Sequence, residues 1–387
     1  MFHQTSIAPD KHAAALARQG DAHALARALQ ASRRDTLATF ATFEAALPGL
    51  CVPQHPDLNP PLWELGHIGW FQAHWTTRNP QMARGWEADP AAVPAHADDA
   101  LYDSGAVAHD SRWQLPLPSA AATREQLAAQ LEQTLQQLLA LGDDSPRALY
   151  FHRLALLHED MHHEAALYMA RALGVPVPDV RWRTPLLPEP DSPLPVAGGT
   201  VRLGGEMAGG FRFDNECGQQ SQAVGDFEVN PQVLRWQDYL PFVLDGGPLP
   251  RYLRRQGGAW QQWLGGMWAP LDVREPACHL SAHEAQAWCD WAGRRLPTEA
   301  EWVAARQQHP GRFAWGQVWE WTATPFAPYP GFAPHPYRDY SAPWFDGRPV
   351  LRGASYLTQP RLRHPDYRNY FSATRNDIPA GFRSCAR

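Results

Sequence analysis

The grammar of the chain changes once, and that change limits what the chain can fold into. Up to about residue 175 the sequence is rich in Ala and Leu at helical spacing: "HAAALARQGDAHALARALQASRRDTLATFATFEAAL", "PPLWELGHIGWFQAHW", "TREQLAAQLEQTLQQLLAL" and "ALYFHRLALLHEDMHHEAALYMARALG". Four such segments predict an antiparallel bundle, whose core is a usual place for metal ligands drawn from facing helices. From "PDVRWRTPLLPEPDSPLPVAGG" onward, Gly, Pro, Asp and Trp break the chain into short apolar runs. One clear helix interrupts them, "SAHEAQAWCDWAGRR", with Ser281 and Glu284 as a capping box and Gly293 near its end. The expected fold class is therefore α followed by α+β: a four-helix bundle over 1–178, a Pro-rich linker over 179–197 and an irregular domain over 198–387, with no internal repeat.

Composition sharpens this reading. The 37 Pro and 29 Gly imply many irregular loops, while 44% hydrophobic residues and 17 Trp among 387 residues require packed cores. A net charge of -6 without a Lys/Arg block argues against nucleic acid or an anionic membrane as the main partner. The opening "MFHQTSIAPDKHAAALARQG" has no apolar core of a secretion signal, and no later run approaches a membrane span, so a cytoplasmic enzyme is expected. Cys51, Cys217, Cys278, Cys289 and Cys385 are odd in number, widely spaced and without a C-x-x-C, which reads as free thiols in a reducing compartment. Any metal must then be held by histidine.

His158 and His162 lie on the apolar stripe of the fourth helix with Phe151, Leu154, Ala155, Ala165 and Met169. A single buried imidazole is ordinarily a hydrogen-bonded core group, but two at i and i+4 face the same way and both reach one ion. The stretch also reads H-E-x-x-H, the zinc-protease pattern in which the Glu activates a metal-bound water. Two possibilities stay open at this point, a hydrolytic zinc or another metal chemistry. In the second helix Trp63, His67, Trp70 and His74 share a stripe and offer further imidazoles to the same core.

The second half carries "GFRFDNE", "RLPTEAEW", "VWEWT", "VLRGASY" and "AGFRSCAR", which resemble the formylglycine-generating, sulfatase-modifying fold, a C-type-lectin-like domain. After "RGAS" the chain runs "YLTQPRLRHPDYRN" without the cysteines that bind copper in that family, so formylglycine generation is not expected. Joined to "LWELGHIGWF" and "HEDMHHE" in a DinB-like bundle, the combination resembles the non-heme iron sulfoxide synthases of ergothioneine biosynthesis. That resemblance implies Fe(II) on His67, His158 and His162, dioxygen as oxidant and hercynine, trimethylhistidine, as acceptor. It also decides against the zinc protease.

The same resemblance implies a substrate-holding triplet at Asn369, Tyr370 and Phe371, where the family has Asn-Trp-Asp, and a proton-delivering tyrosine, for which Tyr329, Tyr337 and Tyr340 are the candidates. Met161 stands where the family often has Gln. Arg112 is the one arginine in "ALYDSGAVAHDSRWQLPLPS", where the family's γ-glutamylcysteine users place the arginines that clamp the donor. With the acid replaced by Phe371 and the clamps reduced to Arg112, an uncharged selenosugar or thiosugar donor is expected, as in selenoneine synthases. The alternatives are an ergothioneine sulfoxide synthase using γ-glutamylcysteine or cysteine and, from another class, a binding module without catalysis.

Overall fold

The computed structural model describes residues 11–387. In the first half lie α1 (Lys11–Gln19), α2 (Ala22–Ala46), α3 (Pro61–Trp75), the single turn α4 (Asp99–Tyr102), α5 (Ala120–Ala140) and α6 (Tyr150–Leu173). The first expected helix is in fact two. Gly20 interrupts it, and the Asp21 side chain accepts from the Ala24 backbone N–H as the N-cap of α2. The other three predicted helices are continuous. Helix α3 opens with Pro at its first turn, and α6 ends at Gly174, whose φ of 71° puts it in the left-handed cap conformation.

The second half contains α7 (Trp236–Leu244), α8 (Ala282–Trp291) and α9 (Glu299–Gln308) among short strands. Helix α8 carries the expected Ser281/Glu284 capping box, and Thr298 with Glu301 forms the same motif on α9. One four-stranded sheet is ordered Leu194–Val196, Phe227–Val229, Cys385–Ala386, Arg294–Arg295. The other is ordered Asn369–Tyr370, Pro349–Gly353, Trp319–Pro325, Ala380–Gly381. In the second sheet Val350 pairs with Tyr370 and Leu351 with Asn369, which holds the first two residues of the predicted triplet at a sheet edge. The first strand begins at Leu194, inside the stretch read as linker.

The two halves share one core. Trp63, Phe71, Trp75, Phe151 and Leu154 of the bundle belong to the same buried cluster as Phe213, Trp319, Tyr340 and Ala380. Ion pairs cross the boundary: Arg18 with Glu216, both buried, at 2.6 Å, and the partly buried Arg361 with the buried Asp160 at 2.8 Å. Such pairs add little net stability but cost several kcal/mol when one partner is removed, so they fix one relative placement of the halves. All five cysteines are free, and among the described residues no helix is long and apolar enough to cross a membrane.

Candidate metal centre

Helix α6 distributes the seven residues of "HEDMHHE" around its circumference, and each finds a different surrounding. His158 and His162, one turn apart, face α3 and meet His67; one ligand atom from each lies within 4.8 Å of the others. His162 Nε2 is 3.1 Å from His158 Nε2. The remaining ring nitrogens are largely occupied by protein. Nδ1–H of His162 donates to the Glu64 carboxylate, which also accepts from Asn59, and Nδ1–H of His67 donates to the Tyr102 carbonyl at 2.8 Å. The His158 ring is fixed by stacking, its centroid 3.4 Å from that of Phe71. This carboxylate–histidine and carbonyl–histidine support orients ligating imidazoles and selects the tautomer that leaves Nε2 unprotonated.

At His67 and His158 electrostatics favours the neutral ring, the form a metal requires. Burial, followed by the neighbouring His162, pushes His67 down to about 3, and burial with both neighbours holds His158 well below the ordinary imidazole value. Burial would raise Glu64, but the charge and hydrogen bond of His162 outweigh it and bring the carboxyl down to about 2.

The remaining residues of the motif point elsewhere. Glu159, the would-be general base of H-E-x-x-H, is buried in a two-point pair with Arg33, 2.8 and 3.1 Å. Asp160 takes Ser32 and Arg361; His163 lies between Thr39 and Gln359. On Glu164, one carboxylate oxygen accepts from Trp319 Nε1, Ser355 and Thr358 of the second half. Glu159 is therefore not poised over the three-histidine cluster as hydrolysis by this motif would need.

A cavity of about 280 Å³ opens beside the cluster. The bundle contributes His158, Met161 and His162 to its wall, and the second half contributes Trp319, Tyr337, Tyr340, Asn369, Tyr370 and Phe371. Carboxylates line it at Glu64 and Glu164, and among the described residues no Arg or Lys does. A larger cavity, about 470 Å³, lies around Leu167, Arg171 and Met267, and its lining includes none of the three histidines.

Comparison with known proteins fits both halves of this arrangement. A sulfatase-modifying factor enzyme 1-like domain is matched over residues 185–317. The hercynine oxygenase of Mycobacterium tuberculosis is 30% identical over 412 residues, covering 86% of this chain and 92% of its own. The chain belongs to the hercynine oxygenase family. The hercynine oxygenase of Mycolicibacterium smegmatis is similarly related, 29% identical with 85% of this chain and 91% of its own covered. A formylglycine-generating enzyme from Thermomonospora curvata is 25% identical over 38% of this chain.

Within this member of the hercynine oxygenase family, the residues expected from sequence do not all converge. Asn369, Tyr370, Phe371 and Met161 share the cavity with His158 and His162. Asn369 Oδ1 accepts from the Tyr370 backbone N–H at 2.9 Å, and the Tyr370 ring stacks on Phe326 at 4.1 Å. Tyr337 is close, its ring 6.0 Å from that of His158, and Tyr340 lines the cavity but bonds Tyr367. Two expectations are corrected. Tyr329 is buried elsewhere, donating to Glu299 at 3.0 Å beneath Arg368, because its loop packs against α9 rather than α6. Arg112 does not line the cavity: its guanidinium covers Trp63 and donates to Asn59 and the Val107 carbonyl, so it is used within the bundle wall. Sequence reasoning also passed over Glu64, whose signal is a lone acid three residues before His67 in an otherwise apolar helix.

Proposed function

We propose that this chain is an O2-dependent non-heme iron enzyme that joins selenium, or sulfur, of an uncharged selenosugar or thiosugar to an imidazole carbon of hercynine, with Fe(II) held by His67, His158 and His162. The relatives named hercynine oxygenase support hercynine as acceptor. The donor assignment is carried by one observation: the cavity beside the triad is lined by two carboxylates and no cation. The two carboxylates of γ-glutamylcysteine would lose water there without gaining a cationic side chain as partner.

The electron count closes. Joining C–H to Se–H releases two electrons, oxidising selenium to its oxide releases two more, and dioxygen accepts all four, placing one oxygen on selenium and the other in water. Fe(II), held by His67, His158 and His162, would supply the redox chemistry that dioxygen and a soft chalcogen need. The protein's part is placement. Tyr370 and Trp319 offer aromatic faces to the quaternary ammonium, which cannot donate a hydrogen bond. Asn369 is placed to pair with the acceptor's imidazole or carboxylate. Tyr337 is the tyrosine we assign to hold, on its hydroxyl, a proton needed on the way to water.

The test is incubation of purified protein with Fe(II), hercynine, a selenosugar and air, read by oxygen uptake and mass spectrometry, beside His67→Ala, His158→Ala and His162→Ala. Oxygen-dependent product in the parent and none in the three variants supports the proposal. Full activity in any variant removes that residue from the site, and no product with any chalcogen donor overturns the reaction.

A further inference from the structure

Tyr337 has its ring 6.0 Å from that of His158 and 4.9 Å from Phe71, on a stretch between strands whose one regular feature is the 3-10 turn Arg338–Tyr340. Irregular segments that carry functional groups need a rigid frame to place them. Here side chains supply the frame on both flanks. On one flank His335 Nδ1 is 3.0 Å from the hydroxyl of Tyr150, the first residue of α6, and its Nε2 is 3.9 Å from the Cys217 thiol. Both ring nitrogens are thereby engaged. On the other flank Ser341 donates its hydroxyl to the Asp214 carboxylate, and Tyr340 stacks on Phe213 at 4.5 Å. His335, Tyr150, Ser341 and Asp214 are all buried.

One short piece of chain receives both flanks. Phe213, Asp214 and Cys217 belong to "FDNEC", a 3-10 turn over Asp214–Glu216 whose Glu216 is paired with Arg18 of α1. The helix that carries His158 and His162 meets the same segment through Tyr150 at its first turn. The Tyr337 stretch is therefore tied to the ligand helix and to the second half at once. Asp214 is a costly anchor, because its second oxygen is sealed without a partner and, among the described residues, no cation pairs with it. Burial pushes its carboxyl up to about 6, although the Ser341 hydroxyl and the backbone N–H groups of His335 and Asn215 favour the charged form. A buried acid kept at such a cost marks a constraint other than packing. Burial also brings His335 down to about 4, so its ring is neutral near pH 7 and its anchoring does not depend on a charge.

We infer that the pairs His335–Tyr150 and Ser341–Asp214 are positioning contacts that hold the Tyr337 hydroxyl in place beside the three-histidine cluster. The inference rests on the assignment of Tyr337 as the proton-holding tyrosine. None of the four residues lines the cavity beside the triad, so each acts through Tyr337 and none touches a substrate there. Turnover then depends on groups that lie behind the cavity wall.

The test compares Tyr150→Phe and Ser341→Ala, each of which removes one hydroxyl and little volume, in iron-loaded protein with hercynine, air and whichever chalcogen donor the parent uses. Each variant should keep its iron and its KM for hercynine within about twofold, while kcat falls at least about fivefold. In a Tyr337→Phe background the same changes should lower kcat by less than about twofold, because the group they position is gone. A fall of equal size in that background would mean general loosening and overturn the inference, as would unchanged kcat in both single variants. Full turnover in Tyr337→Phe alone would remove the role of the tyrosine and the positioning with it. A second readout needs no turnover: with 3-fluorotyrosine in the protein, the fluorine resonance of Tyr337, assigned by its loss in Tyr337→Phe, should shift or broaden in both variants. If no donor gives product, the proposed reaction fails while this resonance still decides the positioning, and an unmoved signal in both variants rejects it.

Discussion

Nδ1 of His162 hydrogen-bonds the carboxylate of Glu64, and this bond turns the other ring nitrogen to within 3.1 Å of His158 Nε2. Glu64 and His162 are 98 residues apart in sequence. Their contact ties α3 to α6 at the point where the two helices present three imidazoles to one spot.

Glu64→Gln keeps the size of the side chain and removes its charge. Losing such an outer partner typically weakens metal binding about 10- to 100-fold. Competition with a fluorescent chelator should show that loss, with the variant still folded and still taking one iron at high concentration. Unaltered affinity would make Glu64 a packing residue.

Glu159→Gln separates the two meanings of H-E-x-x-H. The buried Arg33 loses its charge partner, so unfolding free energy should fall by about 3 kcal/mol or somewhat less, since Gln still accepts one hydrogen bond. Turnover per bound iron should stay within about twofold. A loss of turnover by orders of magnitude in a folded, iron-loaded variant would restore Glu159 as the base of a hydrolytic site.

Asn369→Ala should raise the KM for hercynine, and Tyr370→Ala should do the same through loss of an aromatic face worth about 0.5–2 kcal/mol to a cation. Iron content should be unchanged in both. Loss of iron from Asn369→Ala would reassign that residue to the fold of the sheet edge.

How much of this was legible in the sequence depends on how local the cause is. His158 and His162 were legible because one helix turn sets their relation, and the capping box at Ser281 and Glu284 because three residues contain it. The single long first helix was misread because a Gly-Asp pair inside a helical pattern can continue or cap it, and the Asp21 side chain caps. The places of Tyr329 and Arg112 depend on loop paths that bring Glu299 to one and Asn59 to the other, 30 and 53 residues away. Glu64 was passed over for the same reason: its partner is on another helix.

The tie between the halves should respond to acid. Burial would raise Glu216, but the charge and hydrogen bond of Arg18 hold it below its ordinary 4.5. A carboxyl depressed in the folded state stabilises above its unfolded pKa and loses that contribution as pH falls through the lower folded value. Thermal melts from pH 7 to below 4.5 should therefore show a steeper acid decline in the parent than in the Arg18→Met, Glu216→Gln double variant, which lacks the titrating pair. Parallel declines would show that the pair contributes nothing to acid sensitivity.

Donor choice is the most direct test of the whole account. Iron-loaded protein is given hercynine, air and equal concentrations of a selenosugar, the matching thiosugar and γ-glutamylcysteine in one vessel, and products are counted by mass spectrometry. Without a cation in the cavity wall, the sugars together should exceed γ-glutamylcysteine by at least roughly 100-fold in kcat/KM, about 2.7 kcal/mol. Selenium should lead sulfur because a selenol is ionised near neutral pH and an ordinary thiol is not. Equal or greater use of γ-glutamylcysteine would contradict the donor assignment, and no hercynine-derived product from any donor would contradict the account itself.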